Sequence, residues 1–165
     1  MTGVQVHAVA LALAVDPDGP HIGVLALGGA GAGKSSLAIA AVHECPWRRT
    51  ALVADDRVAL RLDDRGELLA SPPPALAGLV EVWGYGPLSV RSMPEIDVRL
   101  VLDLGGPFQR LPERRRWWPA ELDPDRSDGI PCVPFDPRAS GVVARARLVA
   151  RSILVDKSTT RRTIG

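Results

Sequence analysis

The chain has 165 residues, a length that suits one domain with its own hydrophobic core. Its 20 basic and 19 acidic residues leave a net charge of +1, which gives no indication of a nucleic-acid partner or an anionic membrane surface. No apolar run approaches the roughly 20 residues that span a bilayer, the N-terminus lacks the features of a secretory signal, and the two cysteines lack metal-site spacing, so we expect a cytoplasmic protein.

The first part of the chain predicts three strands and one helix around a glycine-rich loop. A long apolar strand is predicted over residues 4–15, and a turn cluster at residues 16–20 separates it from a short strand over residues 22–27. The Ala-rich segment after the glycines predicts a helix to about Glu44, and the proline that follows ends it. A third short strand is predicted over residues 51–54.

Beyond residue 57 the pattern alternates between short strands and loops. Strands are predicted at residues 58–62, 67–70, 79–83 and 98–104. Residues 105–137 are rich in Pro, Arg and Asp and lack periodicity, so we predict mostly loop there. Residues 138–155 have the composition of a helix with one apolar face. Together the elements predict one α/β domain over residues 1–155, followed by a basic, flexible tail over residues 156–165.

The most specific feature is a glycine-rich run that fits G-x-x-x-x-G-K-[ST], the Walker A phosphate-binding loop. Backbone N–H groups of such a loop surround the phosphates of a nucleotide, and glycines are needed because a side chain would block that approach. Lys34 would contact the β- and γ-phosphates, and the Ser35 hydroxyl would bind Mg²⁺. The alternative is a flexible Gly/Ala loop without a ligand, but a predicted strand before the run and a helix after it favour a site for a nucleoside triphosphate or a related polyphosphate. The residues of this predicted site are Gly28, Gly29, Ala30, Gly31, Ala32, Gly33, Lys34, Ser35 and Ser36.

Two adjacent carboxylates, Asp55 and Asp56, follow the third predicted strand directly. Ligands of open α/β sheets lie at the carboxyl ends of the strands, so these side chains are candidates for phosphoryl-transfer chemistry. One of them is suited to act as a general base toward the group that accepts the phosphoryl. The alternative is an Asp pair that opens a turn before Arg57.

Single polar residues also interrupt the predicted strands. Glu81 lies between two valines, where an inward-facing carboxylate would need a metal or a basic partner. Alternate strand residues face solvent, however, so an exposed Glu81 is the other interpretation. His7 lies in an apolar strand, where a histidine is either catalytic or a hydrogen-bonded core residue.

Arginines cluster at two places in the C-terminal part of the chain. Residues 114–116 could bind an acidic partner or a phosphate, and a solvated loop is the alternative. Arg145, Arg147 and Arg151 belong to the last predicted helix, where a solvated helix face explains them.

These elements, in this order, resemble the catalytic domain of the HPr kinase/phosphorylase family. That family carries a strand histidine, a Walker A loop, an Ala-Asp-Asp-x-Val motif and a signature close to Glu-Val-Arg-Gly-x-Gly. The corresponding segments here are His7 and residues 28–35, 54–58 and 81–86. The resemblance covers residues 5–104, and the chain is similar to the short form of the family, which has the C-terminal catalytic domain alone.

The resemblance implies a fold like that of the phosphoenolpyruvate-carboxykinase-like P-loop kinases, with a mixed twisted sheet and flanking helices. It implies phosphorylation of a serine on an HPr-type phosphocarrier protein with ATP and Mg²⁺, in many members with the reverse phosphorolysis. It also implies a homo-oligomer. Carried over residue by residue, Lys34 and the loop amides hold the phosphates, and Ser35 and Glu81 bind Mg²⁺. The same comparison makes Asp55 the general base, with Asp56 and His7 supporting the site.

The chain departs from the family pattern at three places. Trp83 stands where the family signature has an arginine, so a charge that could stabilise the transferring phosphoryl is missing. Ser36 stands where the family often has an acidic residue, and residues 130–134 occupy the region of the family's Pro-x-x-Gly-Arg-Asn segment. Two further interpretations therefore stay open: a kinase of the same fold for another peptide or protein, and a nucleotide-sensing module without turnover.

Overall fold

The computed structural model describes residues 3–162, with side chains described for residues 3–155. Ten strands, two α-helices and one 3-10 turn follow one another along this part of the chain. The strands are β1 (Val4–Leu13), β2 (Ile22–Leu27), β3 (Ala51–Ala54), β4 (Arg57–Leu62), β5 (Leu68–Ser71), β6 (Leu79–Val82), β7 (Gly86–Ser89), β8 (Ile96–Asp103), β9 (Arg115–Trp117) and β10 (Ile130–Pro134). The helices are α1 (Lys34–His43) and α2 (Val142–Arg162), and the 3-10 turn covers Pro74–Leu76. Among the described residues, no helix has the length and apolar character needed to cross a membrane.

Eight strands form one mixed sheet, in which β2 lies antiparallel to β1 and parallel to β8. Outside these three strands, β3 pairs with the free edge of β1, and β10 pairs with β8 and carries β9. The first residues of β1 pair with β4, and the first residues of β8 pair with β5. Strands β4 and β5 also pair with each other. The pairings of β1, β2, β8, β5 and β4 therefore form a closed circuit. The remaining strands, β6 and β7, form a separate hairpin.

Alternate residues of β1 face two hydrophobic clusters, as strand geometry requires. The larger side chains of β1 pack with both helices, namely Val9, Leu11 and Leu13. The smaller ones, Ala8, Ala10 and Ala12, pack with residues of β4 and β5. Small side chains on this second face let β4 and β5 approach closely. The helices accordingly lie on one face of the sheet and the closed circuit on the other.

Gly23 marks an irregularity between β2 and β8, where the strand register shifts after the pair Gly23 and Val98. A Cβ atom at this position would lie 1.9 Å from the carbonyl oxygen of Asp97, so only glycine permits this backbone approach. The shift also changes which face of β8 looks toward the helices. Val98 belongs to the cluster of the closed circuit, whereas Leu100 packs on the helix side.

The observed mixed sheet with its helices confirms the α/β class and most predicted elements of residues 4–104. The prediction of mostly loop over residues 105–137 is wrong in part, because β9 and β10 lie within it. Hairpin strand β7 was not predicted, and α2 begins at Val142 instead of residue 138 and continues to Arg162. The flexibility of residues 156–165 stays a prediction, since their side chains and residues 163–165 lie outside the described part of the chain.

Candidate functional site

The Walker A run connects β2 to the first turn of α1, as the sequence predicts. Gly33 precedes the helix with a φ of 96°, a left-handed conformation that residues with a side chain rarely adopt. A Cβ atom on Gly33 would also lie 3.3 Å from Cγ of Pro137. The glycine thus lets the loop turn sharply into the helix beneath the segment that joins β10 to α2. The first amides of α1 point toward the loop, where an anion is favoured.

Lys34 is the charged centre of the loop and is only 6% exposed. Its Nζ donates hydrogen bonds to the carbonyl oxygens of Gly28 and Gly29, at 2.7 and 2.9 Å. Burial lowers the pKa of Lys34 below its usual 10.5, while Asp56 and Asp55 oppose this by favouring the charged form. The ammonium is therefore held inside the loop, next to the backbone that would surround a phosphate.

His7 links Lys34 to Asp56. The Nζ of Lys34 lies 3.1 Å from Nε2 of His7. The other ring nitrogen, Nδ1, lies 3.0 Å from both the carbonyl oxygen and Oδ1 of Asp56. Because an ammonium can only donate, Nε2 accepts and Nδ1 carries the proton that is donated to Asp56. The structure thus brings together three of the predicted catalytic residues in one hydrogen-bonded chain.

Asp55 is 5% exposed and both of its carboxylate oxygens are engaged. Oδ1 accepts a hydrogen bond from the Ser35 hydroxyl at 2.8 Å, and Oδ2 accepts one from the backbone N–H of Glu81 at 3.0 Å. One carboxylate therefore joins the Walker A serine to the β6–β7 hairpin. In this position Asp55 orients the hydroxyl that the sequence predicts to be a magnesium ligand.

Asp56 occupies a sharp turn between β3 and β4, with a φ of 65° that Asp tolerates better than most residues. Its carbonyl oxygen also accepts a hydrogen bond from the backbone N–H of Ala8 at 3.2 Å, which ties the turn to β1. In contrast to Asp55, its side chain is 57% exposed. The two adjacent carboxylates thus have different surroundings, one enclosed and one open.

Glu81 reaches the site through its backbone, while its side chain is exposed. It lies on β6, and the tip of the β6–β7 hairpin carries Trp83 and Tyr85, which are 95% and 78% exposed. The exposed carboxylate agrees with the solvent-facing interpretation of Glu81, and the contact with Asp55 is made by the backbone N–H of the same residue. Trp83, at the position of the family arginine, projects into solvent and not into a core.

The donor set around Ser35 matches the chemistry of Mg²⁺, which prefers oxygen ligands. A serine hydroxyl and the carboxylates of Asp55 and Glu81 belong to segments that meet here. Among the described side chains, no cluster of three or more His, Cys, Asp or Glu residues could form a metal cage.

The arginines of β9 and α2 make their hydrogen bonds outside this network. In β9, Arg115 pairs with Asp103 at 2.8 Å, and Arg116 donates to a main-chain carbonyl at 2.6 Å. The interpretation of the α2 arginines as a solvated face is incomplete, since each donates to main-chain carbonyls. They are Arg145, Arg147 and Arg151, and they attach α2 to neighbouring segments.

Sequence reasoning assigned no role to Pro137 and Arg138, which lie beside the Walker A loop. It also assigned none to Asp103, which ends β8 next to Leu27, the last residue before the loop. The strong apolar pattern of β8 is a signal that could have identified Asp103 as a candidate site residue. Asp103 is the last residue of that strand, and ligands bind at the carboxyl ends of strands next to a phosphate-binding loop. No sequence signal pointed to Pro137, since its contact depends on where β10 ends.

Comparison with known proteins identifies a family and several relatives. The family model described as the HPr Serine kinase C-terminal domain matches residues 4–97. An HPr kinase/phosphorylase from Shouchella clausii is 42% identical over 72 residues, and HPr kinase/phosphorylase 1 from Oceanobacillus iheyensis is 38% identical over 72 residues. Each alignment covers 44% of this chain and 22% of the relative, so the matched segment spans about a fifth of those proteins.

A solved structure extends the likeness of fold to nearly the whole chain. The Hpr(Ser) kinase/phosphatase from Coxiella burnetii superimposes with a TM-score of 0.74, covering 97% of this chain and 96% of that one at 20% sequence identity. At this identity the likeness concerns the fold. The family model, in contrast, matches more than half of the residues and includes every segment of the network described above. The chain therefore belongs to the HPr serine kinase C-terminal domain family.

Proposed function

We propose that this protein is an ATP- and Mg²⁺-dependent protein-serine kinase of the phosphoenolpyruvate-carboxykinase-like P-loop type. Its acceptor in this proposal is a serine of an HPr-type phosphocarrier protein. The observation that carries the proposal is the convergence of two hydrogen-bonded chains on one Walker A loop. One runs from Lys34 through His7 to Asp56, and the other from Ser35 to Asp55.

Phosphate binding in this proposal uses the loop amides and Lys34. The ammonium already lies at the carbonyls of Gly28 and Gly29, so a small side-chain movement brings it to a phosphate oxygen. Exchange of neutral carbonyl partners for a phosphate strengthens its interaction, because charge-assisted hydrogen bonds are the stronger class. The low exposure of Lys34 keeps this interaction away from bulk water.

Magnesium in this proposal is held by Ser35 and Glu81. When bound, the ion supplies positive charge that neutralises the phosphates during transfer. Asp55 accepts a hydrogen bond from the Ser35 hydroxyl, which leaves the lone pairs of the hydroxyl oxygen free to bind a cation. Removal of a residue that hydrogen-bonds to a metal ligand, as Asp55 does to Ser35, commonly lowers the affinity of the site for the metal.

The contacts favour Asp56 as the general base, in place of Asp55 as the sequence resemblance implied. Both oxygens of Asp55 already accept hydrogen bonds, whereas the exposed carboxylate of Asp56 is open to an incoming hydroxyl. Asp56 would take the proton of the acceptor serine while the serine oxygen forms a bond to the γ-phosphorus of ATP. The bond from that phosphorus to ADP breaks, and ADP is the leaving group. In the reverse phosphorolysis, inorganic phosphate would take the phosphoryl group to form pyrophosphate, and Asp56 would return the proton to the serine.

The test is transfer of label from γ-labelled ATP, with Mg²⁺, to the HPr-type carrier of the same organism. Label on a carrier serine, retained in an unrelated surface variant and lost in Asp56→Asn, would support the proposal. Binding of Mg-ATP without label on the carrier would contradict the acceptor, and absence of ATP binding would contradict the kinase itself. A homo-oligomer in the cytoplasm remains the expected state of the protein.

A further inference from the structure

Residues 108–116 form a basic segment that follows β8 and continues into β9. The basic segment contains four arginines and one glutamate, a net charge of +3, whereas the whole chain carries a net charge of +1. Every residue of it is exposed. A short stretch of surface therefore carries a positive charge that the chain as a whole lacks, and neither hydrogen-bonded chain of the candidate site uses it.

The four arginines of the basic segment differ in how they are held. Arg115 pairs with the last residue of β8, and Arg116 donates to a main-chain carbonyl, so both attach β9 to its neighbours. The side chains of Arg110 and Arg114 make no hydrogen bond or ion pair with any residue in the described part of the chain. These two guanidinium groups are available to a partner without the loss of an internal contact.

The basic segment lies at the same edge of the sheet as the candidate site. Strands β2, β3, β8 and β10 run in one direction, so the Walker A loop, the Asp pair and the β8–β9 connection all follow the same ends of their strands. Five strand spacings separate β3 from β9, a distance of about 24 Å. A protein interface covers about 800 Å² of each partner and is roughly 30 Å across. A protein that contacts Asp56 can therefore contact the basic segment as well, whereas a small ligand cannot.

Acidic residues follow β9 in the sequence but lie at the opposite edge of the sheet. Because β9 is antiparallel to β10, the segment that joins them leaves the other end of β9. This joining segment contains Glu121, Asp123, Asp125 and Asp128. The two charge clusters are thus separated by the length of β9, about 10 Å, which exceeds the screening length of about 8 Å at physiological salt. The basic segment therefore keeps its charge toward the site edge.

Exposed apolar side chains within the basic segment indicate the kind of partner. Leu111 is 89% exposed and Phe108 is 46% exposed, and both lie within two residues of Arg110. Protein interfaces combine arginines with apolar and aromatic contacts. A nucleic-acid backbone, in contrast, is bound through cations and leaves an exposed leucine without a partner. The combination favours a protein that presents carboxylates beside an apolar side chain.

We infer that the basic segment binds an acidic face of the protein that accepts the phosphoryl group. The inference rests on the proposed function and specifies which surface of the acceptor is recognised. Carboxylates on the face that presents the serine pair with Arg110 and Arg114, and an apolar side chain packs on Leu111. Charges at the rim of an interface act mainly on the rate of association and on its salt dependence. The basic segment therefore affects capture of the acceptor and leaves the chemical step to the residues around Lys34.

Steady-state transfer from Mg-ATP to the HPr-type carrier of the same organism, at several salt concentrations, tests this inference. We expect Arg110→Glu/Arg114→Glu to lower kcat/KM for the carrier by at least about tenfold at low salt, with kcat and the KM for ATP within about twofold. This loss should shrink at about 1 M salt, where charges are screened beyond about 3 Å. Leu111→Ser should raise the KM for the carrier by about threefold to tenfold at every salt concentration, because an apolar contact is not screened.

The matched control is Arg48→Glu/Arg65→Glu, which changes the net charge equally at exposed positions after α1 and between β4 and β5. An equal loss in the control, unchanged kcat/KM in Arg110→Glu/Arg114→Glu, or a loss confined to kcat would overturn the inference. Competition by single-stranded RNA, with no effect of Leu111→Ser, would replace the protein partner with a nucleic acid. If the double arginine variant fails to fold, the same comparison is made with glutamine at both positions.

Failure of the proposed function would give a different result. An unaltered chain that leaves the carrier unlabelled contradicts the kinase, and carrier affinity by calorimetry then tests the basic segment alone. A loss of at least about tenfold at low salt in Arg110→Glu/Arg114→Glu, absent from the control, would support the basic segment as the docking surface. An unaltered chain that binds no carrier would overturn it.

Discussion

Two regions meet at Asp55, and they differ in almost every physical property. On one side lies the network around Lys34, in which Lys34 and Asp55 are buried and their charged atoms have defined partners. On the other side lies the β6–β7 hairpin, whose tip exposes Trp83 and Tyr85 to solvent. Among the described residues, one hydrogen bond connects them, from the backbone N–H of Glu81 to Asp55.

The fold alone fixes the side-chain positions in the network around Lys34. The exposed side chains of the hairpin tip, in contrast, take a defined position only when a ligand or partner contacts them. Buried, fully paired polar groups have few alternative arrangements, because every change would leave a donor or acceptor unsatisfied. Exposed side chains on a two-stranded hairpin lack such constraints. The family motifs are intact in the buried network, and the departure at Trp83 lies on the hairpin. Substitutions in the network should therefore have the larger effects.

The largest effect is expected for Lys34→Ala. Removal of the ammonium leaves the carbonyls of Gly28 and Gly29 without their donor and the phosphates without their cation. We expect affinity for Mg-pyrophosphate to fall by at least about a hundredfold, measured by calorimetry. Because burial lowers the pKa of Lys34 below 10.5, binding by the unaltered protein should also weaken as the pH rises toward that lowered value. Unchanged pyrophosphate affinity in the variant would mean that the loop binds no phosphate.

The next effect tests the division of roles between the two carboxylates. We expect Asp56→Asn to lower kcat by about 10²–10⁴-fold with ATP affinity retained, since an amide cannot accept the serine proton. Asp55→Asn should instead raise the Mg²⁺ concentration for half-maximal activity by about 10–100-fold, because the single amide oxygen cannot accept from both the Ser35 hydroxyl and the backbone N–H of Glu81. The measurement is initial rate against Mg²⁺ for both variants. The opposite pattern would restore Asp55 as the base.

The sequence predicted the residues of this network but not their contacts. Walker A loops and the Asp pair are recognisable because their requirements are local: glycine at left-handed positions, and side chains directly after a strand. The two contacts of Asp55 depend on where α1 and the hairpin cross the end of β3, which no local pattern records. The different exposures of Asp55 and Asp56 follow from those crossings.

The same reasoning explains why β9 and β10 were not predicted. β10 contains Pro131 and Pro134, and a proline has no backbone N–H to donate to a neighbouring strand. The two prolines therefore favour a loop prediction for this segment. Its partner β8 is parallel, and the paired residues lie 31 positions apart in the chain, as in Cys132 and Val101, so the pairing has no short-range signal. By contrast β1, with its alternation of large and small apolar residues, was predicted within two residues of its end.

A smaller effect on kcat is expected for substitutions of His7, and it should reveal whether His7 acts through Asp56 or through Lys34. The side-chain N–H of Asn can take the place of Nδ1–H, and the side-chain oxygen of Gln can take the place of the accepting Nε2. His7→Asn therefore keeps a donor to Asp56, and His7→Gln keeps an acceptor for Lys34. We expect His7→Gln to lower kcat by about tenfold more than His7→Asn, because the base loses its partner. Matching KM values for ATP would place the defect in transfer. If His7→Asn is the poorer enzyme and binds ATP weakly, His7 acts through Lys34 instead.

The smallest effect is expected at the hairpin tip. Trp83→Arg restores the charge of the family signature at a side chain that is 95% exposed, so the free energy of unfolding should change by less than about 0.5 kcal/mol. We expect kcat to rise by about threefold to tenfold if the arginine stabilises charge on the transferring phosphoryl group. Tyr85→Arg is the matched control, since it adds the same charge two residues along the same tip. An equal gain in both variants would indicate general attraction of an anionic substrate, and no gain in either would mean that the buried network supplies all the charge the reaction uses.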